Sequence, residues 1–125
     1  TSGKPWMRVN PNYKEINVAM QEKDPKSVLN HFRMMTKIRK DNSVLVYGKY
    51  QLLQKEHEKI YAYTRELGDT KMLVLLNFTK EKALISLPEV GNVQKMIINN
   101  YDSFEIKGNE AKLLPYQAVI FEISH

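Results

Sequence analysis

The sequence has 125 residues, of which 42% are hydrophobic and 26% charged, values that are ordinary for one globular domain. It contains no cysteine, which excludes disulfides and zinc–thiolate sites and suits a reducing cytoplasm. No apolar run approaches the ~20 residues of a membrane span, and no signal-peptide pattern opens the chain. We therefore expect a cytoplasmic protein with no membrane partner.

The net charge of +5 lies entirely in residues 1–48, which hold nine Lys or Arg and four Asp or Glu, whereas residues 49–125 hold ten of each. A basic segment can mark a nucleic-acid binder. Four of these basic residues, however, fall on one stripe of a predicted helix, which is typical of a solvated helix face. They are Lys26, Arg33, Lys37 and Lys40. We therefore expect no nucleic-acid partner.

The first forty residues contain turn and helix signals in succession. Asn10-Pro11-Asn12 is a strong turn signal, and a short helix is predicted over 14–20. The clearest helix is predicted over 25–40. Asp24 is its expected N-cap, and Pro25 occupies its first position.

The apolar residues of this helix occupy too much of its circumference for one buried face. On a helical wheel they spread over roughly 220°, whereas packing on one side needs little more than about 100°. They are Val28, Leu29, Phe32, Met34, Met35 and Ile38. The pattern predicts two partners for the helix, of which the β-rich half is only one. Arg39 points into the same arc, so we expect its guanidinium to be shielded and bonded.

The second half of the chain is predicted to be β-rich. Met72 to Leu76 are five consecutive apolar residues, which is typical of a strand covered on both faces. Turn signals separate the predicted strands, which are 49–55, 59–66, 71–78, 83–87, 93–99, 103–107 and 116–123, and one turn is predicted at 88–92. We predict an α+β fold, mainly β, in which one N-terminal helix packs on an antiparallel β-sandwich.

The chain contains no recognisable catalytic or metal motif. It has no glycine-rich phosphate loop, no paired histidine spacing and no nucleophile elbow, so we predict no cofactor and no metal. His31 is predicted to pack in the core, and His57 to be solvated in a hairpin turn. No two acidic residues form a recognisable pair of acid and nucleophile.

Five of the tyrosines in the second half of the chain and just before it are Tyr47, Tyr50, Tyr61, Tyr63 and Tyr101. They could form a platform on which a sugar or a base stacks. Tyrosine is also common in strands simply because it packs well there, and we favour this second explanation.

The N-terminal part resembles a known family. Residues 4–17 read KPWMRVNPNYKEIN, residues 24–29 read DPKSVL, and Ile38-Arg39-Lys40 and Val46-Tyr47-Gly48 follow. Together with the tyrosine-rich hairpin, these segments resemble the end of α-glucosidases of the α-amylase superfamily. The likeness is greatest to the oligo-1,6-glucosidase, maltase and dextran-glucosidase branch, and it extends over nearly the whole chain.

The resemblance implies the C-terminal fragment of a retaining glycoside hydrolase that cleaves α-glucosidic bonds in short gluco-oligosaccharides. Residues 1–42 would end the TIM-barrel domain, as the loop after the last strand plus the last helix. Residues 43–125 would form the C-terminal β-sandwich domain, with a structural role. In this family the catalytic carboxylates come from earlier strands, so no catalytic residue is expected here. Asn10, Asn12 and Tyr13 are the expected substrate contacts, although this loop also fits a purely structural role, which we favour.

The partner that the resemblance implies is the rest of the same enzyme, with an α-linked gluco-oligosaccharide bound by the whole protein. Because one side of helix 25–40 lacks a predicted partner, we also expect the isolated chain to expose an apolar surface and to self-associate. The alternative hypothesis is a stand-alone, non-catalytic β-sandwich that binds carbohydrate through its tyrosines.

Overall fold

The computed structural model describes residues 2–87 and 92–124, so most of the turn predicted at 88–92 lies outside the described residues. The chain divides into two compact units, Thr1–Asp41 and Asn42–His125. The first unit is helical and the second is mainly β. Within the described residues, no helix combines the length and the apolarity that crossing a lipid bilayer requires.

The first unit contains a short 3-10 helix, Pro11–Lys14, followed by α1 (Val18–Lys23) and α2 (Val28–Asp41). The helix predicted at 25–40 is confirmed, but its predicted N-cap is wrong. Asp24 instead ends α1, and its carboxylate accepts a hydrogen bond from the backbone of Lys26. The Ser27 hydroxyl accepts from the backbone N–H of Asn30 at 3.2 Å, which is what an N-cap side chain does.

A polar network joins α1 to α2. The Asn30 side-chain amide donates to the carbonyl of Gln21 at 2.9 Å and to that of Asp24 at 2.8 Å. The Ser27 hydroxyl donates to the same Gln21 carbonyl at 2.7 Å, and the Gln21 side chain accepts from the backbone of Leu29 at 3.0 Å. Among residues 2–41, Ser27 alone is buried. Hydrogen bonds, rather than an apolar core, therefore hold these two helices together.

Most of the apolar side chains of α2 are exposed to solvent, whereas Leu29 and Ile38 are half-buried. None of its residues is buried, and Val28 and Phe32 are 81% and 64% exposed. The predicted apolar surface is therefore confirmed. Arg39 is exposed, so the prediction that its guanidinium is shielded is wrong, and Phe32 and Met35 beside it on the wheel are exposed as well. His31 is half-buried in a helix without buried residues, so its predicted place in a core is wrong.

The second unit contains a short helix, α3 (Ser43–Tyr47), and these strands: β1 (Lys49–Leu53), β2 (Ile60–Leu67), β3 (Thr70–Asn77), β4 (Ala83–Ser86), β5 (Val93–Asn99), β6 (Glu105–Lys107), β7 (Glu110–Leu113) and β8 (Ala118–Ile123). They form one sheet of order β1-β2-β3-β8-β5 and a second of order β4-β7-β6, with antiparallel pairing throughout. The mainly β fold is confirmed, whereas the packing of the N-terminal helix on it stays a prediction.

The strand β3 lies in the interior of the larger sheet, as predicted. Leu73 and Leu75 on one of its faces join the core cluster, to which both sheets contribute. Met72 and Val74 on its other face are also buried, and α3 packs on β2 and β3. Burial on both faces explains why this strand shows no alternation of apolar and polar residues.

Candidate functional site

Asn10, Asn12 and Tyr13 lie on one turn at the start of the first unit. Asn10 is the N-cap of the 3-10 helix, and its side chain accepts from the backbone N–H of Asn12 at 3.3 Å. The backbone N–H of Tyr13 donates to the Asn10 carbonyl at 3.1 Å. The predicted turn is thus present, and it brings the three expected substrate contacts together.

The side chains of these three residues differ in what they do locally. The Asn10 side chain is engaged in the cap, which fits a structural role. Within residues 2–87 and 92–124, the side chains of Asn12 and Tyr13 have no hydrogen-bond partner, and Tyr13 is 53% exposed. The backbone beneath them is fixed, because Asn17 donates its amide to the Tyr13 carbonyl at 3.0 Å. Asn12 and Tyr13 are therefore free to contact a ligand from a defined position.

The structure gathers three of the five tyrosines on β1 and β2. The Tyr63 ring lies 5.3 Å from the Tyr50 ring, tilted by 40°, and 5.5 Å from the Tyr61 ring, tilted by 53°. Tyr47 lies in α3, and the Tyr101 hydroxyl donates to a backbone carbonyl before β8. Tilted rings that pack on one another do not form a flat platform, which agrees with the packing explanation.

A hydrogen bond inside this cluster affects the ionisation of one tyrosine. The hydroxyl oxygens of Tyr50 and Tyr61 are 2.5 Å apart. This hydrogen bond is the main cause that raises the pKa of Tyr50 to about 12, and desolvation and the neighbouring tyrosines add to it. Tyr50 therefore stays protonated at neutral pH and does not serve as a base.

His57 is a structural residue in the turn between β1 and β2. Its Nδ1 accepts from the backbone N–H groups of Ile60 at 2.9 Å and Lys59 at 3.2 Å. Because Nδ1 accepts, the ring hydrogen is on Nε2, which donates to the Leu84 carbonyl of β4 at 2.9 Å. The prediction of a solvated His57 is wrong, and the ring joins this turn to the second sheet.

Three acidic residues in the described part of the second unit, Glu66, Glu81 and Glu105, form ion pairs with lysines. Glu81 contacts Lys59 at 2.5 Å, and this hydrogen bond is the main cause that holds the pKa of the Glu81 carboxyl below its usual range. Glu66 pairs with Lys71 at 3.4 Å. The Glu81 carboxylate therefore stays ionised, which is the opposite of what a catalytic acid requires. Among the described residues there is also no group of three side chains that could hold a metal ion.

Two family models match successive parts of the chain. Residues 1–48 match the alpha amylase catalytic domain, and residues 60–120 match the alpha-amylase SusG C-terminal domain. The boundary between the two compact units, after Asp41, falls near the end of the first match.

Relatives and solved structures agree with these models. The chain is 40% identical to an oligo-1,6-glucosidase of Bacillus cereus and 37% identical to one of Parageobacillus thermoglucosidasius, in each case over 98% of this chain. It spans only 22% of the length of either relative. The crystal structure of the isomaltulose synthase SmuA from Protaminobacter rubrum superposes with a TM-score of 0.91 and 40% identity, covering 100% of this chain and 23% of that one.

The two halves of the chain thus match two successive alpha-amylase family models, and the similarity to the solved structure covers 100% of this chain. The chain belongs to the α-amylase family and corresponds to the C-terminal part of its α-glucosidase and oligo-1,6-glucosidase members.

Proposed function

We propose that this chain is the C-terminal part of a retaining glycoside hydrolase that cleaves α-glucosidic bonds in short gluco-oligosaccharides. The observation that supports this most strongly is the identity of 37–40% to oligo-1,6-glucosidases across 98% of the chain. A retaining glycosidase needs a carboxylate nucleophile and a carboxylic acid about 5 Å apart. We place both upstream of this chain, in a cytoplasmic enzyme, and assign this part a structural role.

We propose that residues 1–42 end the catalytic barrel, as the loop after its last strand plus its last helix, and that residues 43–125 form the C-terminal β-sandwich domain. The match of the catalytic-domain model to residues 1–48 supports this division, as does the compact unit that ends at Asp41. Ligand contacts in a TIM barrel come from loops that follow the strands, so the loop around Asn12 is a candidate for substrate binding.

Within this loop we propose Asn12 and Tyr13 as the substrate contacts, with Asn10 shaping the turn. Their exposed side chains and fixed backbone support this assignment. In the full-length enzyme, Asn12→Ala and Tyr13→Ala should each raise KM for isomaltose or maltose by about three- to tenfold, the loss of one hydrogen bond. Lys14→Ala, in the same turn, is the control and should leave KM unchanged. Unchanged KM in both variants would leave the loop with a structural role only.

The partner that we propose for the first unit is the rest of the same enzyme. The first unit exposes many large apolar side chains. They are Trp6, Met7, Val9, Tyr13, Ile16, Val18, Met20, Val28, Phe32, Met34 and Met35. Large exposed apolar patches mark surfaces that another part of a protein covers. The same exposed side chains in the 125-residue chain alone should drive self-association.

The activity and the association can be tested on the purified 125-residue chain. It should hydrolyse no α-glucoside, and it should bind a hydrophobic dye and sediment as more than a monomer. Val28→Ser with Phe32→Ser should lower both dye binding and association, whereas Lys37→Ala, on the basic stripe, should change neither. Measurable hydrolysis would overturn the proposal of upstream catalytic residues, and a dye-silent monomer would overturn the proposed covering partner.

A further inference from the structure

The second unit contains a shallow cavity of about 210 Å³ where the turn between β1 and β2 meets the end of β3. Two of its lining residues are aromatic, Tyr61 and Phe78, and several are polar, among them Gln54, Lys55 and Glu58. Small-molecule sites combine an apolar surface with a few polar groups in this way.

The two aromatic rings lie on the same face of the larger sheet. Tyr61 is paired with Leu76, and the backbone N–H of Phe78 continues the pairing by donating to the Lys59 carbonyl at 3.1 Å. Phe78 and Tyr61 are therefore diagonal neighbours on one face. They are 68% and 41% exposed, so both rings are accessible to a ligand in the cavity.

The backbone of the turn on the polar side of the cavity is held in place before any ligand arrives. His57, with its hydrogen bonds to Lys59, Ile60 and Leu84, fixes the turn. Gln54 has a φ of 47°, a left-handed backbone conformation that is uncommon for residues other than glycine and persists where the surrounding structure holds it. Within the described parts of the chain, no hydrogen bond or ion pair involves the side chains of Gln54, Lys55 or Glu58.

The charges around the cavity indicate what kind of ligand fits it. Lys55 and Glu58 offset each other, and Lys59 is already paired with Glu81, so the cavity favours neither an anion nor a cation. A neutral, polyhydroxylated ring would place its C–H face on Phe78 and Tyr61, and its hydroxyls within reach of Gln54 and the two charged groups.

We propose that this cavity is a binding site for a glucosyl unit of an α-linked oligosaccharide. The choice of glucose among neutral sugars rests on the proposed function. The proposal that the cavity binds a neutral sugar rests on its lining residues alone. The site differs from a platform of five tyrosines, because its main ring is Phe78, and only Tyr61 is shared with the tyrosine cluster. A shallow site of this size should bind with a dissociation constant on the order of millimolar.

The test is a titration of the isotopically labelled 125-residue chain with maltose and with isomaltose, followed by NMR. Saturable shifts are expected at residues 54–61 and at Phe78. Phe78→Ala should weaken binding at least about tenfold, and Phe78→Leu, which keeps an apolar side chain but lacks the ring, should weaken it nearly as much. Tyr47→Ala removes a ring of α3 that is 76% exposed, slightly more than Phe78, and should leave binding unchanged.

Three results would overturn the site. The first is the absence of saturable shifts up to about 50 mM sugar, a concentration well above the expected millimolar dissociation constant. The second is an equal weakening of sugar binding by the Phe78 and Tyr47 variants. The third is a shift at these residues that depends on protein concentration in the absence of sugar. The last would mean that a second copy covers the cavity. Activity assays of the full-length protein separate this test from that of the proposed function. An active α-glucosidase without sugar binding here would refute the site alone, and sugar binding by an inactive full-length protein would refute the proposed function alone.

Discussion

The two units of this chain are stabilised in different ways. The second unit has a core of its own, in which Leu73, Leu75 and Phe121 are at most 1% exposed. In the first unit only Ser27 is buried among residues 2–41, and a network centred on Gln21 and Asn30 takes the place of a core. The second unit therefore has the buried core of a domain that folds by itself. The first unit lacks such a core, as expected for a segment that other parts of a protein complete.

The largest difference between the units should appear when one phenylalanine is removed from each. Phe121→Ala removes a ring that is 1% exposed and lies 4.8 Å from that of Phe104, so it should lower the free energy of unfolding by about 3–5 kcal/mol. Phe32→Ala removes a ring that is 64% exposed, so it should change the free energy of unfolding by less than about 0.5 kcal/mol. Denaturant unfolding measures both. Equal losses of unfolding free energy in the two variants would contradict the conclusion that only the second unit has a core.

A pair of asparagines makes the same comparison for polar groups. The buried Asn77 donates to the carbonyls of Glu81 at 2.7 Å and Leu114 at 2.9 Å, and Asn77→Ala should cost roughly 2–3 kcal/mol because these carbonyls lose their partners. Asn30→Ala should cost about 1 kcal/mol, since water can reach the carbonyls that it frees. Denaturant unfolding of the chain measures the cost of Asn77→Ala, and amide hydrogen exchange in α2 measures the cost of Asn30→Ala. A larger cost at Asn30 would mean that the first unit is better shielded than the structure indicates.

The two internal histidines allow a third comparison. His57→Ala removes the acceptor for two backbone N–H groups and the donor to Leu84, and should cost about 1–2 kcal/mol. His31→Ala, in a helix without buried residues, should change the free energy of unfolding by less than about 0.5 kcal/mol. Thermal unfolding at one pH distinguishes the two, and an unaffected His57 variant would rule out the structural role of this ring.

The smallest effect should be the late ionisation of Tyr50, whose pKa is about 12 in the folded chain against 10.0 for an ordinary tyrosine. Between these two values the unfolded chain has lost the proton that the folded chain keeps. Stability should therefore fall as the pH rises through this window. Phenolate absorbance should show a tyrosine that titrates near 12 and, in Tyr61→Phe, moves towards 10.0. Tyr47→Phe is the control and should leave this late component in place.

The sequence predicted those parts of the fold that depend on long apolar patterns. The run from Met72 to Leu76 predicted an interior strand because burial on both faces removes the alternation that marks other strands. The strand β7, Glu110–Leu113, was missed because its residues EAKL show little strand preference. The start of α2 was misplaced because Asp24-Pro25 has the residues of a cap, whereas Ser27 supplies the cap hydrogen bond.

The candidate sites were less predictable, because they depend on contacts between distant parts of the chain. The resemblance selected Asn10, Asn12 and Tyr13, but only the structure separates the capping side chain from the two exposed ones. Charged neighbours made His57 look solvated, because its partners are backbone groups that leave no sequence signal. Phe78 follows a buried strand, and nothing in its sequence context indicates that its ring faces solvent.

We propose that a longer chain of the same enzyme completes the first unit. The most direct test is the intact mass of the native gene product, combined with an α-glucosidase assay of that product. Since 125 residues correspond to 22% of the relatives' length, we expect a chain of about 570 residues that hydrolyses isomaltose or maltose. A native product of 125 residues, or a long product without glucosidase activity, would contradict it.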